Sequence, residues 1–165
     1  MADVQSESGN GDVTGRTPPE DGAAPGAADV AGITFTWPVR IYYEDTDSGG
    51  VVYYANYLKF MERARTEWLR SLGLEQDALR EAGHLFAVRS VQVDYLRPAR
   101  FNDLLDVTAR VVGAGGATLT FDQEVRRDTE VLCRGRVTVA SLDAETLRPR
   151  RIPATLRERL PEVSA

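Results

Sequence analysis

The sequence predicts an α+β domain in which an antiparallel sheet carries its helices on one face. Three observations predict it. Thr34 to Tyr43 is rich in β-branched and aromatic residues and reads as a first strand. A helical stripe follows: Tyr57, Phe60, Met61, Ala64, Trp68 and Leu72 recur at the spacing of one helix face. Beyond it lie four strand-like runs, Leu85–Leu96, Leu104–Val112, Thr118–Arg127 and Val131–Leu142.

Each element has local reasons. The long helix is expected over about residues 53–72, with Lys59, Glu62, Arg63, Thr66 and Arg70 on the face opposite the stripe. Gly73 is placed to end it in a left-handed conformation. A short second helix over about residues 75–81 stops near Gly83. Gly113-Ala114-Gly115-Gly116 and Arg127-Asp128-Thr129-Glu130 separate the last three strands as hairpin turns. Arg148 to Ile152 is expected to return to the sheet, and Ala154 to Leu160 to form a terminal helical turn. Residues 1–31 hold Gly, Ala, Asp, Ser and Pro in quantity and no aromatic residue. Such a segment buries too little apolar area to offset its ordering entropy. The expected organisation is therefore a disordered acidic tail, 1–31, and one domain, 32–165.

Charge and cysteine content exclude several classes of function. Residues 1–31 hold six acids and one base, so the 25 acids and 20 bases of the chain leave 19 of each in residues 32–165. A formally neutral domain offers no field for a nucleic-acid partner. The single cysteine, Cys133, excludes an internal disulfide and suits a reducing compartment, so a cytoplasmic location is expected. No basic segment followed by an apolar run marks a secretory signal. No stretch approaches the ~20 apolar residues of a membrane span, so no membrane insertion is expected.

The densest chemistry lies between the first strand and the helix, in Tyr43-Glu44-Asp45-Thr46-Asp47-Ser48-Gly49-Gly50-Val51-Val52-Tyr53-Tyr54-Ala55-Asn56-Tyr57. A helix start leaves backbone N–H groups unpaired and carries the positive end of the dipole. A carboxylate beside such donors can attack a carbonyl or activate water while the donors stabilise the developing oxyanion. An Asp in such a place is also a common capping or turn residue. Two glycines alone signify only a turn.

The run from Asp45 to Tyr57 resembles the helix-start motif of the 4-hydroxybenzoyl-CoA thioesterase family of hotdog-fold acyl-CoA thioesterases. Trp37 to Tyr53 is similar almost residue for residue to the YbgC-type branch associated with the Tol-Pal system. Glu62 to Glu67 and Pro98 to Asp103 fit as well, and the resemblance covers roughly residues 36–152. Tyr54 stands where that branch usually has His, and there looks more like the aryl-CoA branch. The resemblance implies a hotdog fold, an antiparallel β-sheet wrapped around one long central α-helix. It implies hydrolysis of an acyl-CoA to free acid and CoA, with Asp47 as nucleophile or general base and the Tyr54 backbone amide polarising the thioester carbonyl. Gly49, Gly50, Val51, Val52 and Tyr53 would meet the substrate. Asp45 is expected to bond the loop backbone. Coenzyme A is then part of the substrate, acyl carrier protein is the alternative carrier, and no cofactor or metal is needed. The pantetheine channel would lie between subunits of a homodimer or homotetramer.

Other residues receive plainer readings. Tyr57 is a core residue on the apolar face. Glu62, Arg63 and Arg65 are expected in surface ion pairs. His84, the single histidine, is expected at the surface, and its isolation argues against a His-built metal site or a catalytic triad. Cys133 is expected in the core. Arg97, Arg100, Arg126 and Arg127 are either solvated charges or contacts to the phosphates of coenzyme A. Two rival functions share the fold: a hydroxyacyl thioester dehydratase, disfavoured by a histidine outside the motif, and a non-catalytic acyl-thioester binding or scaffold protein.

Overall fold

The computed structural model describes residues 34–163. The expected tail, 1–31, lies outside them. The elements run β1 (Phe35–Arg40), α1 (Asn56–Ser71), α2 (Gln76–Glu81), β2 (His84–Tyr95), β3 (Leu104–Ala114), β4 (Thr118–Arg127), β5 (Glu130–Asp143) and α3 (Ala154–Arg157). The strands form one five-stranded antiparallel sheet in the order β1-β3-β4-β5-β2. Consecutive hairpins account for β3-β4-β5. The two ends come from elsewhere in the chain: β1 adds beside β3, and β2 crosses to pair with β5.

The sheet's inner face is a set of alternating rows. Leu105, Val107 and Ala109 of β3, Phe121 and Val125 of β4, and Cys133 and Val137 of β5 are buried together with Tyr57, Phe60, Met61, Ala64 and Trp68 of α1. Full burial of a large apolar side chain is worth about 1.5–3 kcal/mol, so this seam holds the helix on the sheet. Gly135 lets the helix come close: a Cβ there would lie 2.7 Å from the Met61 sulfur. Gln123 occupies an apolar row of β4 and is 1% exposed. Its Nε2 donates to the carbonyls of Met61 (3.1 Å) and Thr108 (2.9 Å), and its Oε1 accepts from Arg65 (2.7 Å). A buried amide with its partners in place fixes one helix position on the sheet rather than merely filling space.

Several boundaries differ from expectation, for physical reasons. β1 stops at Arg40, because Tyr43–Asp45 winds into a single 3-10 turn. The central helix begins at Asn56, not near residue 53. The Val52 N–H donates to the Ala99 carbonyl and the Tyr53 N–H to the Asp45 carbonyl, both at 2.9 Å. Those residues are held in extended pairing and are not available to a helix. Gly73 takes φ +74°, the left-handed helix end the sequence called for. Residues 148–152 do return to the sheet, through the bridge between Leu142 and Pro149 and through the Arg150 N–H donating to the Ser141 carbonyl at 2.9 Å. Among the described residues, no helix is long and apolar enough to cross a membrane.

Candidate active site

Asp47 sits at the tip of a small hairpin whose arms meet at an antiparallel bridge between Thr46 and Val52. The turn closes on itself: Asp47 N–H donates to Val51 O (2.9 Å) and Gly50 N–H to Asp47 O (3.0 Å). The Gly49 N–H donates to Asp47 Oδ1 at 2.8 Å. Gly50 is required by its φ of +74°, a backbone region costly for residues with a Cβ. At Gly49 a Cβ would come within 3.1 Å of Asp47 Oδ1, a tight approach that would press on the carboxylate. Asp47 is exposed, forms no ion pair among the described residues, and its Oδ2 meets no donor among them.

Asp45 does what the sequence reading expected. Its Oδ2 accepts the Tyr42 N–H (2.9 Å), and its carbonyl accepts both Tyr53 N–H and the side-chain amide of buried Asn56, each at 2.9 Å. Asn56 is thus a structural clamp between the helix start and the loop. Tyr54 lies two residues before α1, exposed, with its carbonyl accepting the Tyr95 hydroxyl at 3.0 Å. The Tyr54 N–H meets no acceptor among the described residues. The rings of Tyr53 and Tyr95 pack edge-on against Tyr54.

A second segment supports the hairpin and was only partly legible from sequence. Val51 bridges to Arg100, and Val52 donates to Ala99. Ala99 is in turn fixed by its N–H donating to the Tyr57 hydroxyl at 3.0 Å. Tyr57, 3% exposed, is therefore core as expected, and it also carries the strut under the loop; burial pushes its phenol up from the ordinary value. Tyr43 stacks on Phe101 (ring centres 3.9 Å apart), and Ile41 pairs with Asn102 and Asp103. Signals for this strut lay in the Pro98 to Asp103 run, but pairing between segments some fifty residues apart is not written in local periodicity.

The remaining expectations divide. Gly49, Gly50 and Tyr53 are exposed around the turn and Val51 is half-buried, whereas the Val52 side chain is turned into the core. The expected surface ion pairs of Glu62, Arg63 and Arg65 do not form among the described residues. Arg65 bonds Gln123 instead, and Glu62 accepts the Thr66 hydroxyl at 2.9 Å. Three of the four candidate phosphate arginines are already engaged. Arg97 pairs with Glu130 (3.0 Å), Arg126 with Glu124, and Arg127 with Asp103 (2.9 Å) and Glu130 (2.6 Å). The guanidinium of Arg100 has no ion-pair partner among the described residues. Cys133 is buried and its thiol is pushed up to about 12 by desolvation, which makes it core and unreactive. His84 is half-buried rather than at the surface, with Nδ1 lacking a partner; burial first, then the Arg150 charge, lowers its basicity.

Comparison with known proteins fits this geometry. Residues 49–134 match the thioesterase superfamily. Acyl-CoA thioesterase YbgC of Haemophilus influenzae is 45% identical over 124 residues, covering 74% of this chain and 91% of the relative. Acyl-CoA thioester hydrolase YbgC of Escherichia coli is 42% identical over 123 residues, covering 74% and 92%. A crystal structure of a probable thioesterase from Bartonella henselae superposes with a TM-score of 0.69 at 34% identity, covering 73% of this chain and 99% of that one. By sequence and by its five-stranded α+β hotdog architecture, the chain belongs to the thioesterase superfamily and is a thioester hydrolase.

Proposed function

We propose that the protein hydrolyses acyl-CoA thioesters, with the Asp47 carboxylate acting on the thioester carbonyl and the Tyr54 backbone N–H receiving the oxyanion. One observation carries this reading. Among the described residues, Asp47 is a carboxylate oriented by a single backbone bond, with one oxygen left open, on the hairpin that leads to the unpaired Tyr54 amide two residues before the helix. The carboxylate attacks directly, expelling the coenzyme A thiolate to give a mixed anhydride that water then hydrolyses to the free acid and Asp47, or it takes a proton from a water that attacks the carbonyl. On either route the C–S bond breaks and coenzyme A departs as a thiolate, a fair leaving group, so no metal is needed. The exposed turn of Gly49, Gly50 and Tyr53 borders the thioester. Arg100, bridged through its backbone to Val51 and with no ion-pair partner for its guanidinium among the described residues, is the cation assigned to meet the anionic carrier.

The working unit is a homodimer at least. Among the described residues, the outer edge of β2 is unpaired over its twelve residues, and the strand carries exposed Val88, Val91 and Tyr95. A long open strand edge calls for a partner, and a second copy supplies a matching one. A reducing cytoplasmic setting fits the one buried cysteine.

The test is thiol release from acyl-CoAs by the purified chain, run beside enoyl formation from a hydroxyacyl-CoA and thiol release from acyl carrier protein thioesters. Free thiol from an acyl-CoA, abolished in Asp47→Asn, is the expected result. Enoyl product without thiol would establish the dehydratase instead. Tight acyl-CoA binding without either product would establish the binding protein.

A further inference from the structure

Tyr53, Tyr54, Ala55 and Asn56 form a β-turn, closed by the Asn56 N–H donating to the Tyr53 carbonyl at 2.9 Å. Its central peptide joins Tyr54 to Ala55. Ala55 has φ −69° and ψ −21°, in the helical region. In such a turn the Tyr54 and Ala55 N–H groups point to one side and the Tyr54 carbonyl to the other, as successive peptides do in a helix. Neither N–H meets an acceptor among the described residues. The central peptide of a β-turn has a second arrangement, turned over, in which the following residue takes positive φ. Turned over here, the Tyr54 carbonyl oxygen would come round to the side of the Tyr54 N–H, and the Ala55 N–H would leave it. The negative end of a dipole would then face any charge developing there.

One side chain holds the first arrangement. The Tyr95 hydroxyl donates to the Tyr54 carbonyl at 3.0 Å. Tyr95 ends β2 opposite Cys133 of β5, and the two residues after it both donate their N–H groups to the Leu132 carbonyl, at 2.9 and 3.0 Å. Its ring packs edge-on against Tyr57, with ring centres 5.5 Å apart, and against Tyr54 at 6.1 Å. Tyr57 is core, so the hydroxyl is aimed from a fixed base. Burial, first among the causes, pushes the Tyr95 phenol up from its ordinary value, so it stays a donor at neutral pH. Tyr95 is 47% exposed, and removing its hydroxyl opens no hole in the core.

We propose that Tyr95 is a positioning residue for hydrolysis: its hydroxyl locks the Tyr54–Ala55 peptide so that both N–H groups face the oxyanion. The inference rests on the reading of the Tyr54 N–H as the oxyanion donor, and it adds the Ala55 N–H as a second. Tyr95 acts through the Tyr54 carbonyl and not on the substrate. Its effect falls on the transition state, because the thioester oxygen carries its full charge only there. Without the tether, only a fraction of the bound complexes holds both donors in place, and kcat scales with that fraction.

The experiment compares Tyr95→Phe with wild type in thiol release from the acyl-CoA that wild type turns over fastest, at matched assembly by light scattering. Phe keeps the ring contacts and loses only the tether. A fall in kcat of about three- to tenfold is expected, the bias that one neutral hydrogen bond supplies, with KM and melting temperature nearly unchanged. Ala55→Gly gives a second reading, because glycine opens the positive-φ arrangement. Its loss of kcat is expected to be at least about twofold larger in the Tyr95→Phe background than beside intact Tyr95, since the tether and the Ala55 Cβ exclude the same turned-over peptide. Wild-type kcat in Tyr95→Phe, a change confined to KM, or equal losses from Ala55→Gly in the two backgrounds overturns the role of Tyr95 and leaves the hydrolase standing. Failure of the wild type to release thiol from any acyl-CoA removes the hydrolytic reading itself. Should Tyr95→Phe not fold, Tyr95→Leu removes the same hydroxyl and is judged by the same outcomes.

Discussion

Carboxylates occur in two contrasting settings in this molecule, the outer face of the sheet and the hairpin before α1. On the sheet, Asp122 takes Arg136 through two hydrogen bonds (2.7 and 2.9 Å) with Arg110 at 3.6 Å, and Glu124 takes Arg126 and Arg134. Arg136 hydrogen bonds hold the Asp122 carboxyl below its ordinary value; burial pushes Glu124 up, and its two arginines outweigh that and bring it down. In the hairpin, Asp47 has one backbone donor and no arginine among the described residues. A carboxylate whose lone pairs are committed to guanidinium groups supports structure. One that is aimed but uncommitted can act on a substrate. The difference is visible only when the partners are known, because both kinds are simply Asp or Glu in the sequence.

The largest break in the comparison is Asp47→Asn. The amide keeps an oxygen for the Gly49 N–H, so melting temperature should hold, while kcat falls by roughly 10²-fold or more. KM should change little. Wild-type turnover in a folded Asp47→Asn enzyme would put the hairpin carboxylate in the same class as those on the sheet. Next in size is Asp45→Ala, which removes the acceptor for Tyr42 N–H. A loss of about 1 kcal/mol in urea unfolding is expected, with only a partial drop in activity.

Acid sharpens the same contrast. Asp122 and Glu124 have folded values below their unfolded ones, so their ion pairs stabilise the protein above the ordinary carboxylate range. That contribution is lost as pH falls through the lower folded values. Stability measured from pH 6 downward should therefore decline below about pH 4, and less steeply in Asp122→Asn. At pH 7 that variant is the smallest effect of all, below about 1 kcal/mol because the pair is largely solvated, with hydrolysis unchanged. A large activity loss in Asp122→Asn would show that the sheet's outer face takes part in catalysis.

Much of the architecture was legible because it is periodic. The stripe from Tyr57 to Leu72, the left-handed Gly73 and the strand run from Thr118 to Arg127 are local facts, and the structure reproduces them. Strand order was not legible: nothing in His84–Tyr95 says that it crosses to β5. Nor was the seat of Met61 on Gly135, which depends on two residues meeting across the core. Gln123 carried a readable signal, a polar residue in the apolar phase of β4, whose partners only the fold supplies. At the site, the motif marked both Asp45 and Asp47, and Asp45's work within the loop was anticipated. The strut through Tyr57, Ala99 and Val52 was not, because it joins three separate stretches of chain.

That strut has a consequence for how the site can change. The hairpin is fastened at Asp45, Val51, Val52 and Asn56 by bonds that use backbone atoms or a buried amide. Its residue count is therefore fixed, and an insertion between Thr46 and Asn56 would unzip it. Side-chain identity at the exposed positions is under no such restraint. Exchanging Tyr54 for another residue alters what the loop presents at the surface and leaves every fastening in place, so this enzyme's loop is free to diversify by substitution and closed to diversification by length.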